Sequence, residues 1–159
     1  MPASVYLETS FISYLTARPS RDIVLAGHQQ TTRDWWQTRR SCFEVCISEL
    51  VLQEVSSGDY QAAEVRLSVV NDIELLEITP DALQLADKLV AGAALPQKAV
   101  ADALHIAIAV SNGIDFLLTW NCKHIANATM RSKIEVLCRK NGYEPSIICT
   151  PEELLEDEP

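Results

Sequence analysis

Residues 98–110, KAVADALHIAIAV, decide the fold class of this chain. When the segment is written as a helix, apolar side chains occupy every face except at Asp102 and His105. A helix that is apolar all round is buried inside its protein. We therefore predict a core helix over residues 97–111, which Asn112-Gly113 ends.

Short apolar runs and longer helical segments alternate on both sides of this core helix. Strands are predicted over residues 5–7, 43–47, 74–78, 115–120 and 147–149. Helices are predicted over residues 9–15, 21–40, 48–57, 60–70, 80–92 and 129–139. Because short apolar strands joined by helices form parallel sheets with helices on both faces, the sequence indicates an α/β fold around a central parallel sheet of about five strands.

The composition fits one packed domain. The chain has 159 residues, 48% of them hydrophobic, and its 13 basic and 22 acidic residues give a net charge of −9. This balance excludes a protein that holds nucleic acid by bulk positive charge. No leader sequence is evident, and no apolar run approaches the ~20 residues that span a bilayer, so we expect a cytoplasmic protein without membrane contact. We predict one domain over residues 1–150 and an acidic C-terminal tail over residues 151–159.

The cysteines predict neither a disulfide framework nor a zinc site. They are odd in number and include no C-x-x-C pair; they are Cys42, Cys46, Cys122, Cys138 and Cys149. We expect free thiols, most of them buried.

We expect four polar residues to converge at the carboxyl-end edge of the predicted sheet, where ligands of α/β proteins bind. Glu8 and Asn121 directly follow strands, and Asp102 stands near the start of the core helix. Asp102 needs a metal, a cation or hydrogen bonds to compensate its burial, unless the helix N-terminus suffices. Alternatively, Glu8 is a helix cap and Glu54 is a solvent-exposed surface residue. These residues offer only oxygen ligands, which suit Mg²⁺ or Mn²⁺, and such clusters position metal for phosphodiester hydrolysis.

Four segments, in this order, resemble the signature segments of PIN domains: YLETS (6–10), SELVLQEV (48–55), DALHIA (102–107) and FLLTWN (116–121). PIN domains are a nuclease family that includes the VapC-type toxins of bacterial toxin–antitoxin pairs. The resemblance implies a PIN-like three-layer fold and a metal-dependent ribonuclease acting on single-stranded or structured RNA, with an antitoxin protein as partner and pairing as a homodimer. By resemblance, the positions of the family's acidic metal-binding quartet are Glu8, Glu54, Asp102 and Asn121. Thr119 stands where a small hydroxyl residue commonly assists.

Two quartet positions depart from the family pattern. The first is usually aspartate, and the longer side chain of Glu8 moves the carboxylate by about 1.5 Å. The fourth is usually acidic, and Asn121 keeps an oxygen ligand but removes a negative charge. The three remaining carboxylates predict weaker metal binding. They also motivate a second hypothesis, a PIN-like module that has lost efficient catalysis and acts in RNA binding or protein interaction.

Positive charge is concentrated in two segments despite the negative total. Residues 17–41 carry five basic and two acidic residues, and residues 119–143 carry five basic and one acidic residue. The second segment begins beside the predicted site. We therefore expect Lys123, Arg131 and Lys133 to guide RNA phosphates to it.

Two further features allow alternative interpretations. In the first basic segment, Trp35 and Trp36 either stack on single-stranded RNA or pack a helical hairpin or dimer contact. His105 lies three residues after Asp102, on a neighbouring helical face. We predict a core histidine that is hydrogen-bonded to backbone, and the alternative is contact with substrate or with a carboxylate.

Overall fold

The computed structural model describes residues 2–155. They contain a five-stranded parallel sheet in the order β3-β2-β1-β4-β5. The strands are β1 (Ser4–Leu7), β2 (Glu44–Ser48), β3 (Glu74–Leu76), β4 (Phe116–Leu118) and β5 (Ile147–Cys149). The helices are α1 (Thr9–Thr16), α2 (Ile23–Thr38), α3 (Glu49–Val55), α4 (Tyr60–Val70), α5 (Pro80–Ala91), α6 (Val100–Ser111) and α7 (Ala128–Lys140). The predicted α/β fold with a flanked, five-stranded parallel sheet is confirmed.

The central strand β1 fixes where the predicted site lies. It pairs with β2 on one side and with β4 on the other, and Val5, Tyr6 and Leu7 are fully buried. Because the strands are parallel, their carboxyl ends share one edge of the sheet. There, the backbone N–H of Glu8 donates to the carbonyl of Leu118 at 3.1 Å. The residues that follow β1 and β4 therefore meet at this edge.

The predicted core helix is confirmed, although its first turn differs. Residues Gln97–Ala99 form a 3₁₀ turn, and α6 begins at Val100. From His105 to Val110 every residue is buried, and the helix contacts α5 and β4. The first turn, with Asp102, is less covered than the rest. This placement buries the imidazole of His105 in the core and leaves the carboxylate of Asp102 at the less covered start of the helix.

Strand β4 ends two residues earlier than predicted, at Leu118. The side chain of Trp120, two residues further on, has its partners outside the sheet. The indole Nε1–H of Trp120 donates to Thr32 Oγ1 at 2.7 Å, and the indole ring stacks on His28 with 4.1 Å between ring centres. Helix α2 thereby anchors the segment that follows β4.

The two adjacent tryptophans of α2 differ in their surroundings. Trp35 is fully buried, with ring centres 5.4 Å from Phe11 and 5.7 Å from Phe43. Trp36 is half-buried, and the Arg40 guanidinium lies 3.9 Å from its ring centre. The packing interpretation is confirmed for Trp35, and its stacking on RNA is wrong because the ring lies inside the core.

The cysteines are free, and three of the five are buried. Burial raises the pKa of the Cys46 and Cys149 thiols to about 12 and that of Cys138 to about 11. These thiols stay protonated at neutral pH, as expected for small core residues.

The predicted tail begins as a 3₁₀ helix, Pro151–Leu154, which contacts α2. Its Glu152 carboxylate lies 4.0 Å from the His28 imidazole. Residues 156–159 lie outside the described residues, and the domain boundary at residue 150 stays a prediction. Within residues 2–155, no helix is long and apolar enough to cross a membrane.

Candidate active site

Glu8 links β1 to α1, and hydroxyl groups hold its carboxylate. The residue is 5% exposed. Its Oε1 accepts hydrogen bonds from Ser10 Oγ and Thr119 Oγ1, each at 2.5 Å, and its Oε2 accepts one from the Ser10 backbone N–H at 3.2 Å. Glu8 therefore is the N-cap of α1 and also stands at the carboxyl-end edge of the sheet, so both interpretations of this residue apply.

Glu54, on the last turn of α3, faces the core helix. Its Oε1 lies 2.6 Å from His105 Nε2 and accepts a hydrogen bond from Thr9 Oγ1 at 2.5 Å. Burial would raise the pKa of Glu54, but the hydrogen bond and charge of His105, together with the Thr9 hydroxyl, hold that pKa below its ordinary value. The side chain is therefore a half-buried carboxylate that is ionised at neutral pH.

His105 is 1% exposed, and side chains contact both of its ring nitrogens. Nε2 faces Glu54 and lies 3.9 Å from Glu8 Oε2. Nδ1 lies 2.7 Å from Tyr6 Oη, which lies 2.8 Å from Ser48 Oγ. Burial raises the pKa of Tyr6, so its phenol stays neutral. The predicted hydrogen bond to backbone is wrong, because Tyr6 and Glu54 bring polar groups to both sides of the ring.

Asp102, Asn121 and His124 form a closed set of hydrogen bonds, which we call the Asp102 ring. Asn121 Nδ2 donates to Asp102 Oδ1 at 3.0 Å, and His124 Nδ1 lies 3.0 Å from Asp102 Oδ2. The His124 backbone N–H donates to Asn121 Oδ1, also at 3.0 Å. Hydrogen bonds therefore compensate the partly buried carboxylate of Asp102, and Asn121 links it to the loop that follows β4.

The four predicted quartet residues divide between two neighbouring clusters. Among residues 2–155, one group of three metal-ligating side chains has its ligand atoms within 4.8 Å of one another: Glu8, Glu54 and His105, here called the acid–histidine group. Asp102 and Asn121 belong instead to the Asp102 ring. Thr119 joins the clusters, because its Oγ1 donates to Glu8 and accepts the backbone N–H of Asn121 at 2.9 Å.

The donor set of the acid–histidine group fits a divalent cation. Two carboxylates supply negative charge, and the surrounding Ser10, Thr9 and Thr119 hydroxyls are neutral. Carboxylate oxygens are the usual ligands of Mg²⁺ and Mn²⁺, and an imidazole nitrogen also binds Mn²⁺. Asn121 contrasts with this group, because its amide oxygen and nitrogen both take part in the Asp102 ring.

His124, which lies in the loop after β4, was not predicted as a site residue from the sequence. Its spacing of three residues from Asn121 could have signalled a turn that returns to the same carboxylate. The same loop and the following helix carry the predicted phosphate-binding residues: Lys123 and Lys133 are exposed, and Arg131 is half-buried. Their role in RNA binding stays a prediction.

Replacing Asn121 with aspartate is expected to lower the free energy of unfolding of the metal-free protein by about 1–3 kcal/mol. The change turns the amide donor to Asp102 into a second carboxylate and so sets two like charges side by side. Urea unfolding in the presence of EDTA, followed by circular dichroism, measures the loss. Asn71→Asp adds the same charge at an exposed position and should change stability by less than about 0.5 kcal/mol. Equal effects of the two substitutions would contradict the role given to Asn121.

Comparison with known proteins identifies related folds. The family model of the PIN domain matches residues 5–122. VapC20 of Mycobacterium tuberculosis, a sarcin–ricin loop cleaving toxin, is similar in structure, with a TM-score of 0.60 and 16% identity over 76% of this chain and 92% of that chain. VapBC2 of Rickettsia felis, solved bound to a DNA fragment from its promoter, gives a TM-score of 0.58 and 16% identity over 92% and 98%. Among curated proteins, no sequence relative matches.

Proposed function

This chain belongs to the PIN domain family, and from that premise we propose that it is a metal-dependent endoribonuclease and the toxin component of a toxin–antitoxin pair. The likeness to a toxin that cleaves the sarcin–ricin loop and to a VapBC protein supports the proposal. The observation that carries it is the acid–histidine group, which sets two carboxylates within ligand distance at the carboxyl-end edge of the sheet.

The proposed reaction is hydrolysis of an RNA phosphodiester bond. A divalent cation, Mg²⁺ or Mn²⁺, would neutralise charge at the scissile phosphate and would activate water for attack. Glu8 and Glu54 would hold the cation. Asp102, linked to Glu8 through Asn121 and Thr119, would supply a third carboxylate. Because Thr119 donates to Glu8, we assign Thr119 the role of orienting that carboxylate.

The remaining roles concern positioning and substrate binding. Asn121 stands at a quartet position. From its hydrogen bonds we assign it, together with His124, the role of orienting Asp102. Lys123, Arg131 and Lys133 would attract the RNA phosphates, which compensates locally for the negative charge of the whole chain.

RNA cleavage with controlled metal tests this function. Purified protein is incubated with a single-stranded RNA and with a sarcin–ricin loop hairpin, in Mn²⁺, in Mg²⁺ or in EDTA. We expect cleavage that needs a divalent metal, stops in EDTA and returns when Mn²⁺ is added in excess. Equal cleavage in EDTA, or no cleavage of either RNA with either metal, would overturn the proposal.

A second candidate function is a catalytically impaired PIN module that binds RNA or protein. Its support is that the Glu8 carboxylate accepts three hydrogen bonds from the chain itself, so a cation must compete with them. Calorimetric titration with Mn²⁺ separates the two functions. The enzyme should bind Mn²⁺ in a manner that depends on Glu8 and Glu54, whereas the impaired module should bind none.

Three further properties are proposed together with the toxin function. These are an antitoxin protein as partner, pairing of two copies as a homodimer, and a cytoplasmic location. Light scattering after gel filtration measures the mass in solution. A mass of one chain at micromolar concentration would contradict the homodimer alone.

A further inference from the structure

We propose that His105 supplies a nitrogen ligand to the metal, so that the site binds Mn²⁺ in preference to Mg²⁺. The inference rests on the proposed metal-dependent function. It adds an imidazole to a set of ligands that, from the sequence, consists only of oxygen atoms.

The position of the imidazole is the first support. His105 Nε2 lies 2.6 Å from Glu54 Oε1 and 3.9 Å from Glu8 Oε2, so the nitrogen faces both carboxylates. Ligand atoms on opposite sides of an ion with bonds of about 2.1 Å stand about 4.2 Å apart. In the acid–histidine group, the separation of His105 Nε2 and Glu8 Oε2, 3.9 Å, is close to this spacing, whereas the 2.6 Å between Nε2 and Glu54 Oε1 must widen to admit an ion.

The hydrogen bond to the other ring nitrogen of His105 is the second support. Histidines that bind metal in proteins almost always have their other ring nitrogen fixed by a hydrogen bond. His105 Nδ1 has such a partner in Tyr6 Oη at 2.7 Å, and Ser48 Oγ holds that phenol at 2.8 Å. Without metal, the Nε2–H donates to the ionised Glu54 carboxylate. A bound cation would take the place of this proton, and with Nδ1 then donating to Tyr6 and Tyr6 donating to Ser48, Nε2 would offer its lone pair to the cation. Because Tyr6, Ser48 and His105 are all buried, water does not compete for these contacts.

Metal preference follows from the ligand type. Mg²⁺ favours oxygen ligands and keeps several waters, whereas imidazole suits transition-metal ions. A site of two carboxylates and one imidazole should therefore favour Mn²⁺. His124 provides a contrast, because it contacts a carboxylate of the Asp102 ring and lies outside the acid–histidine group.

Electron paramagnetic resonance of the wild-type protein with one equivalent of Mn²⁺ tests the ligand directly. Pulsed spectra should show coupling of the Mn²⁺ electron spin to a ¹⁴N nucleus, which imidazole ligation produces. The coupling should be lost in His105→Gln and kept in His124→Gln. The glutamine keeps a hydrogen-bond donor near Glu54 but has no imidazole nitrogen.

Calorimetric titrations with Mn²⁺ and with Mg²⁺ give the preference. We expect His105→Gln to weaken Mn²⁺ binding on the order of 100-fold and Mg²⁺ binding by less than about tenfold. A His105 that only orients Glu54 would give no ¹⁴N coupling in the wild type, and its loss would weaken both metals equally; either result overturns the inference. Bound Mn²⁺ without ¹⁴N coupling, combined with metal-dependent RNA cleavage, would overturn the ligand assignment and leave the proposed function standing. The wild-type spectrum decides this even where His105→Gln does not fold.

Discussion

Replacing Asp102 with asparagine is expected to lower the rate of RNA cleavage by at least about 100-fold, the size of effect seen when one electrostatic group of an active site is removed. The substitution keeps the shape of the side chain but removes the charge that Asn121 and His124 hold in place. An amide at this position also turns one of the two acceptors that face Asn121 and His124 into a donor. Initial rates on a single-stranded RNA, at saturating Mn²⁺, measure the loss.

The matched control for this prediction is Asp87→Asn, on the exposed face of α5. It removes the same charge from the protein and should leave cleavage unchanged within about twofold, because isolated surface charges contribute little. Both variants should give the circular dichroism spectrum of the wild type. Cleavage by Asp102→Asn at more than about a tenth of the wild-type rate would remove Asp102 from the proposed active site.

The fold was predictable because its signals are local. The apolar surface of residues 98–110 indicates a buried helix without any knowledge of its neighbours, and the short runs at residues 5–7 and 147–149 leave little room for anything but buried strands. The end of β4 was not predictable in the same way. Trp120 continues the apolar run, but its ring stacks on His28, which lies far away in sequence.

The site was predictable in its parts but not in its connections. Glu8 follows a buried strand and Asp102 interrupts an apolar helix, so each is conspicuous in the sequence. The division into two clusters depends on which hydrogen bonds form between α3, α6 and the loop after β4. His105 illustrates this point: its spacing indicates burial, but only the packing of β1 and α3 against α6 determines that Tyr6 and Glu54 are its partners.

The hydrogen bonds around Glu8 and Asn121 give a physical reason for these two departures from the family pattern. A shorter aspartate at position 8 would draw the carboxylate back from Ser10 and Thr119, which now hold it. An aspartate at position 121 would face Asp102 without a donor between them. Glu8 therefore matches the hydroxyl groups around it, and Asn121 matches the neighbouring carboxylate. Replacing them with the family's usual acidic residues should not improve the metal site.

Replacing Trp35 with alanine is expected to lower the free energy of unfolding by about 3–5 kcal/mol, the range observed when a buried aromatic ring is removed. The ring is fully buried against Phe11 of α1 and Phe43 before β2, so its loss leaves a cavity between layers. Domains of this size are stable by about 5–15 kcal/mol, so the substitution should remove a large part of the free energy of unfolding. Urea unfolding followed by circular dichroism measures the difference without relying on tryptophan fluorescence.

Trp36→Ala is the matched control, because it removes the same side chain one residue further along α2. Trp36 is half-buried and stacks with the Arg40 guanidinium, so we expect a loss of only about 1 kcal/mol. The Trp35 ring cannot reach RNA from inside the core, so any folded fraction of Trp35→Ala at low temperature should bind RNA as tightly as the wild type. A Trp35→Ala protein with wild-type stability and weakened RNA binding would contradict the packing role. That result would instead favour stacking of RNA bases on the first basic segment, residues 17–41.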